Sequence, residues 1–248
     1  MIISHKLKVI YIRVQKTAST SFEMALSKYC GPEDVITKLG RGQDEIRESL
    51  GYCGGQNFKE GRYREYKQHH RATVIKNNVP IDIWESYTKI ANIRNPYDKM
   101  ISKYYDEHQK TKEEDILVFA EWIEKIAKKS EWIASFLYGP IHIDGKLVID
   151  FCIRYEHLIE DIKALETKIA CPGLSKEIQK YSFQSEHRPN QKGSLYEIYS
   201  KYPEAKSIID KELYDHIDQY ELLRSHWLKH KSELEQLLDG GGQKVRTR

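Results

Sequence analysis

Residues 7–21 read LKVIYIRVQKTASTS. From Leu7 to Val14 the chain is apolar, aromatic or β-branched apart from Lys8 and Arg13. A short, nearly continuous run of this kind predicts a strand buried on both faces, as in a parallel sheet. Polar and small residues, Gln15 to Ser21, follow at once. Phe22, Ala25, Leu26 and Tyr29 then recur at helical spacing. The unit is therefore strand, polar turn, helix. A helix starting on such a turn offers backbone N–H groups and the positive end of its dipole to an anion. Lys16 and the hydroxyls of Thr17, Ser19, Thr20 and Ser21 add donors, so the turn predicts an anion site of the phosphate-loop kind. It contains no glycine, which excludes the GxxxxGK[ST] pattern of nucleoside-triphosphate sites. The plainer alternative is a polar turn with Ser19 as an ordinary N-cap.

The same alternation continues outward. Residues 86–94 (SYTKIANIR) predict a second buried strand, and Asn95-Pro96 supplies an N-cap and a first-turn proline. Met100, Ile101, Tyr104 and Tyr105 form the stripe of the next helix. Residues 147–155 (LVIDFCIRY) predict a third strand, followed by a helix marked by Leu158, Ile162, Leu165 and Ile169. Between the first two strands, residues 31–66 are rich in glycine and polar groups. They predict loops with short helices and a mobile flap, and His70 to Lys76 opens a further short helix. Helices are expected over 116–127, over 132–138 and from 194 onward. Strands alternating with helices imply a single α/β domain over 1–239, with a central, mostly parallel sheet flanked by helices, and a frayed tail over 240–248.

The composition sets further bounds. The chain has 248 residues, with 40 Lys+Arg against 37 Asp+Glu and a net charge of +3. That balance excludes binding nucleic acid through bulk charge, so no nucleic-acid partner is expected. Cys30, Cys53, Cys152 and Cys171 form no CxxC pair and no zinc-finger spacing with histidine. Free thiols in a reducing compartment, and no metal, are the expectation. The start of the sequence lacks the apolar core of a signal peptide, and no apolar run reaches membrane-spanning length. The reading is a cytoplasmic protein with no membrane partner.

The second candidate site lies in IRNPYDKMISKYY, residues 93–105. Arg94 ends a strand, where parallel sheets open their ligand crevice, and its guanidinium can grip a phosphate bidentately. Ser102 lies two helical turns on. Between the two anion motifs, KQHHRATVIK offers His69 and His70 as proton acceptors near neutral pH. Glu23 is a further candidate base, or a first-turn acid of its helix. Residues 59–76 carry an excess of Lys and Arg that suits an anionic acceptor or a solvated loop. Tyr63, Tyr66 and Trp84 suit either an acceptor pocket or the core.

Taken together, VIYIRVQKTASTSF resembles the 5′-phosphosulfate loop of sulfotransferases, above all the branch containing the heparan sulfate 2-O-sulfotransferases. IRNPYDKMISKYY is similar to that superfamily's 3′-phosphate motif. FCIRYEHLIEDIKAL and KELYDHIDQYELL resemble its later strand–helix and its terminal helix. The resemblance spans residues 7–223 and implies a P-loop-like, nucleotide-kinase-like sulfotransferase fold. The implied donor is 3′-phosphoadenosine 5′-phosphosulfate (PAPS), with the bisphosphate PAP as product and no metal. Lys16 and the backbone of Thr17, Ala18, Ser19, Thr20 and Ser21 would hold the phosphosulfate, and Arg94 and Ser102 the 3′-phosphate. Lys192 and Gly193 would belong to a loop covering the nucleotide. Lys16 would stabilise the leaving group of an in-line transfer, and His70 would be the base. The acceptor would be a hydroxyl or amine of a small polar metabolite or a carbohydrate. One departure is Gln15, where the family has proline. The alternatives are a kinase-like phosphoryl transferase and an inactive nucleotide-binding module.

Overall fold

The computed structural model describes residues 1–40, 42–59, 66–108, 118–129, 132–181, 194–217 and 221–240. In chain order its elements are β1 (Ile2–Ser4), β2 (Val9–Tyr11), α1 (Ser19–Ser27), β3 (Val35–Ile36), α2 (Gln43–Ser49), α3 (Ala72–Asn78), α4 (Ile81–Ser86) and β4 (Thr88–Ile93). Then come α5 (Pro96–His108), α6 (Phe119–Ala127), α7 (Trp132–Leu137), β5 (His142–Ile143), β6 (Lys146–Leu147), β7 (Phe151–Arg154), α8 (Leu158–Lys168) and α9 (Leu174–Ile178). The chain ends in α10 (Leu195–Lys201), α11 (Pro203–Ile217) and α12 (Glu221–Asp239). These elements form two compact units, Met1–Arg94 with Gly139–Phe183, and Asn95–Tyr138 with Gln184–Arg248. The chain crosses from the first unit to the second between Arg94 and Asn95, without a linker.

The first unit is mixed α/β. Its five-stranded sheet runs β3-β1-β2-β4-β7. β2–β4 and β4–β7 are parallel, whereas β1 is antiparallel to both β2 and β3. β3, β2, β4 and β7 therefore share one direction, and β1 alone is reversed. The expected mostly parallel sheet is present, with a reversed strand inserted. The third predicted strand is split. Phe151–Arg154 joins the sheet, whereas Lys146–Leu147 pairs with His142–Ile143 in a separate hairpin. Its turn is Asp144-Gly145, with φ of 49° and 73°. Positive φ at both central residues matches the twist of a two-residue hairpin, which is why Asp-Gly favours it.

Residues of β2 and β4 that point to opposite faces, Ile10 and Tyr11, Ile90 and Ala91, are all fully buried, as the apolar run predicts. On one side Val9, Tyr11, Ile90 and Ile153 meet Phe22 and Leu26 of α1, Ile162 and Leu165 of α8 and Leu174 of α9. The Tyr11 and Phe22 rings lie 4.6 Å apart and tilted, adding about 1 kcal/mol beyond their burial. That contact fixes α1, and hence the turn preceding it, against the end of β2. The segment expected as a flap is tied down where it is described. β3 joins the sheet edge, and Gln56 Nε2 donates to the carbonyls of Gly31 and Asp34 at 2.7 and 2.9 Å.

A buried carboxylate clamps α9 to α1. Glu177 accepts from Lys28 Nζ (2.6 Å), Lys180 Nζ (2.9 Å), Tyr181 Oη (2.8 Å) and Tyr52 Oη (2.5 Å). Burial alone would raise its pKa, but these four donors outweigh it and hold the group at about 2. A carboxyl depressed on folding contributes stability that is complete above its ordinary value near 4.5 and is lost as pH falls toward 2. Glu177→Gln should therefore cost roughly 1–3 kcal/mol in urea unfolding at pH 7. The gap from the parent should close as the titration is repeated down to the acid limit; a gap independent of pH would refute the assignment.

The second unit is helical in its described residues. Asn95 Oδ1 accepts from the backbone N–H of Tyr97 (2.9 Å) and Asp98 (3.3 Å), so the predicted N-cap starts α5. Lys99, 1% exposed, donates to the carbonyls of Phe136 and Leu137 at the end of α7, at 3.0 and 2.8 Å. Tyr97 Oη meets Asp210 Oδ1 of α11 at 2.5 Å and accepts from Trp227 Nε1 of α12 at 3.1 Å. No helix among the described residues is long and apolar enough to cross a membrane.

Candidate functional site

β2 and β4 are parallel neighbours, so their carboxyl ends open side by side. The turn before α1 leaves one and Arg94 leaves the other. Within the turn Lys16 and Ala18 adopt φ of 61° and 60°, with Thr17 outside that region between them. Left-handed backbone costs a non-glycine residue roughly 1–2 kcal/mol. Two such residues in one short turn mean that something else dictates its shape.

Three hydrogen bonds do so. Thr17 Oγ1 donates to the Val14 carbonyl at 2.9 Å. Asn92 Nδ2 of β4 donates to the Thr17 carbonyl, and Arg94 Nη1 to the Lys16 carbonyl, each at 2.9 Å. Asn92 is itself oriented by Tyr11, whose hydroxyl donates to Oδ1 at 3.0 Å. In a planar trans peptide the N–H points opposite the carbonyl. Pinning the carbonyls of residues 16 and 17 from one side therefore turns the N–H groups of Thr17 and Ala18 to the other. Successive N–H groups turned to one side in this way are the kind of donor set that suits an anion.

The start of α1 adds to it. Its N-cap is Ala18, which makes no side-chain cap, and the first helical bond runs from Phe22 N to Ala18 O at 3.1 Å. The N–H groups of Ser19, Thr20 and Ser21 precede that bond. Ser19 is thus the first residue of the helix rather than its N-cap, because the left-handed turn carries the cap position to Ala18. An alanine at the cap leaves the helix's N-terminal donors to a ligand.

Beneath the turn lies a buried ion pair. Arg13, 5% exposed, donates from Nη1 to Glu23 Oε2 at 2.6 Å and from Nη2 to Thr20 Oγ1 at 2.7 Å. The other oxygen of Glu23 accepts from the nitrogen of Met1. Burial, first of all, draws Arg13 down to about 10, which leaves it charged at neutral pH. Glu23 is fully buried and is the fifth residue of α1, so it is neither a first-turn acid nor placed to meet an acceptor. It anchors Arg13, and Arg13 anchors Thr20.

Arg94 is 8% exposed, and its guanidinium lies 4.0 Å from the centre of the Tyr155 ring, just beyond β7. Stacking and the bond to the Lys16 carbonyl together fix its plane. His69 Nδ1 lies 3.5 Å from the Arg13 carbonyl. A carbonyl only accepts, so in that contact Nδ1 is the donor. In His70, Nδ1 accepts from Lys67 N–H at 3.3 Å.

The first unit therefore brings together the turn from Lys16 to Ser21, Arg94 and His69. Ser102 lies on α5 of the second unit. Lys192, Gly193 and Tyr63 lie outside the described residues. Tyr66 and Trp84 are buried at 2% and 7% exposure and belong to the core rather than a pocket wall. In the basic stretch Lys59, Lys67, Arg71 and Lys76 are exposed, and Arg62 and Arg64 lie outside the described residues. The supporting residues Arg13, Asn92 and Tyr155 escaped the sequence reading. For Arg13 and Asn92 the signal was there: a lone polar side chain inside an apolar strand must satisfy its hydrogen bonds somewhere specific.

An uncharacterised protein of Archaeoglobus fulgidus is 31% identical over 105 residues, 41% of this chain and 82% of that protein. The model of the sulfotransferase family matches residues 1–220, spanning the sheet, the turn before α1 and Arg94. Strand, glycine-free turn, helix and a strand-end arginine thus occur together in a chain that belongs to the sulfotransferase family, in its family 2 branch.

Proposed function

We propose that the chain is a PAPS-dependent sulfotransferase acting on a hydroxyl of a small polar metabolite or a carbohydrate. The observation that carries this reading is the turn at residues 16–18, whose carbonyls are held from behind so that its N–H groups converge beside an uncapped helix start. That donor set fits the phosphosulfate end of the nucleotide, and members of the family use PAPS. Bound there, the nucleotide supplies the sulfuryl group. In this proposal the N–H groups of Thr17 to Ser21 hold the phosphate oxygens. Lys16 meets the charge that grows on the bridging oxygen. Arg94 takes the 3′-phosphate, as the resemblance implies, and also keeps the turn in shape. The resemblance points to His70 as base; the position of His69, with Nδ1 3.5 Å from the Arg13 carbonyl beside the turn, supports His69, and the proposal takes His69 as the group that removes the acceptor proton.

The test is a calorimetric titration with PAP and, separately, with ATP–magnesium. PAP should bind and ATP–magnesium should not displace it. Arg94→Ala should weaken PAP at least tenfold, and Arg94→Lys should rescue little, because the fork is lost. Preference for ATP would overturn the reading. With turnover measured alongside, His69→Ala should lose roughly 10²–10⁴-fold in rate at unchanged PAP affinity, and His70→Ala far less. The reverse ranking would return the base to His70.

A further inference from the structure

Helix α12 carries a histidine pair that sulfuryl transfer does not use, and it begins at Glu221, past the span shared with the family. His226 and His230 stand four residues apart, so their side chains lie one above the other on one face. Their Nε2 atoms are 3.2 Å apart, and their rings cross at 83°. On the other side of the His230 ring, Nδ1 lies 2.9 Å from a carboxylate oxygen of Glu233, one turn further on. His230 is 6% exposed and His226 half-buried. Of the neighbouring lysines, Lys229 faces the other oxygen of Glu233 at 3.9 Å, and Lys231 faces Asp210 at 4.0 Å.

We propose that His226 and His230 form a chelating site for a divalent cation of the zinc, nickel or copper class, bound through both Nε2 atoms, with Glu233 as its positioning residue. The spacing carries the inference. Two nitrogens bound to zinc at about 2.0–2.1 Å, at an angle between square and tetrahedral, are roughly 2.9–3.4 Å apart, and the observed 3.2 Å falls in that window. A carboxylate accepts from Nδ1 of His230, which turns the Nε2 lone pair toward His226. Carboxylate-to-histidine hydrogen bonds of this kind orient imidazole ligands and raise their basicity. In the metal-free pair His226 donates its Nε2 hydrogen to His230. On binding, that hydrogen moves to Nδ1 of His226, and the cation takes its place between the two lone pairs. Two imidazoles suit borderline-soft cations and disfavour magnesium and calcium, which prefer oxygen. The sequence reading missed the pair because it sought metal ligands among the cysteines.

The experiment uses the full, untagged chain, stripped with a chelator and titrated with cobalt(II) by absorption spectroscopy and with zinc by calorimetry. One ion per chain should bind saturably, unaffected by excess magnesium. Glu233→Gln should weaken binding by about 10–100-fold, and Glu233→Asp should restore part of it. The His226→Gln/His230→Gln double variant should abolish it with the circular dichroism unchanged. If replacement of buried His230 prevents folding, half-buried His226→Gln alone decides. Unchanged affinity in a folded histidine variant, or no saturable binding by the folded parent, overturns the site. Because the readout is metal binding, the outcome is independent of the proposed sulfuryl transfer.

Discussion

Lys16→Ala should lower kcat by about 10²–10³, or roughly 3–4 kcal/mol of transition-state stabilisation, while the KM for PAPS changes far less. The asymmetry follows from what each part of the turn does. In the proposed reaction the ground-state nucleotide is held by backbone N–H groups, whose direction is set by Asn92 and Arg94 bonding the carbonyls of Thr17 and Lys16. Substitution at Lys16 leaves both carbonyls in place. The ammonium interacts most strongly with charge that develops only as the bond to the sulfuryl group lengthens, so its loss falls on kcat. Residue 16 is also left-handed, with φ of 61°, so a backbone effect has to be separated from a charge effect. Lys16→Gly removes the ammonium and relieves the strain, and Lys16→Arg keeps a charge of different shape. If the charge is what matters, the alanine and glycine variants lose rate together and arginine recovers part of it. If the glycine variant retains the parental rate, the role assigned to Lys16 is wrong. PAP titration of each variant completes the test: affinity should fall by less than the rate does.

What could be read in the sequence divides along a physical line. β2, β4 and the start of α5 were visible because local rules decide them: a β-branched run for each strand, and Asn95-Pro96 for the helix. The order of the two candidate motifs along a parallel sheet put both at strand carboxyl ends. What escaped depends on distant partners. β1 is three residues long and is a strand only because β2 and β3 flank it. The third strand was drawn too long because Leu147 has the right composition but pairs with His142 around Asp144-Gly145, a hairpin signal that outranks composition. The turn before α1 lacks the glycine that usually announces left-handed backbone; its shape comes from Asn92 and Arg94, some 75 residues further on. Glu23 was legible as an acid near a binding loop, but not as a buried one, since burial depends on the packing of β2 against α1.

That burial makes Glu23 the position where a single substitution should most damage the fold. Glu23→Ala leaves the Arg13 guanidinium, 5% exposed, without its carboxylate. Removing one partner of a buried pair costs roughly 3–5 kcal/mol, because the remaining charge stays out of water. Set against a typical domain stability of about 5–15 kcal/mol, that is roughly a fifth or more. Urea unfolding should show the midpoint falling sharply at a nearly constant slope. The cost belongs to the stranded charge rather than to the lost attraction, so Arg13→Met combined with Glu23→Leu should recover the share due to Arg13, leaving that of the Met1 nitrogen on the other carboxylate oxygen. The same pair of experiments separates Glu23 from the proposed proton acceptor. A catalytic base replaced by its amide would leave a stable protein that does not turn over. Glu23→Gln should instead give a less stable protein whose folded fraction still transfers, at a rate reduced only as far as Arg13 lets go of Thr20 at the edge of the anion turn. Intact stability with abolished turnover in Glu23→Gln would move Glu23 from the scaffold into the chemistry.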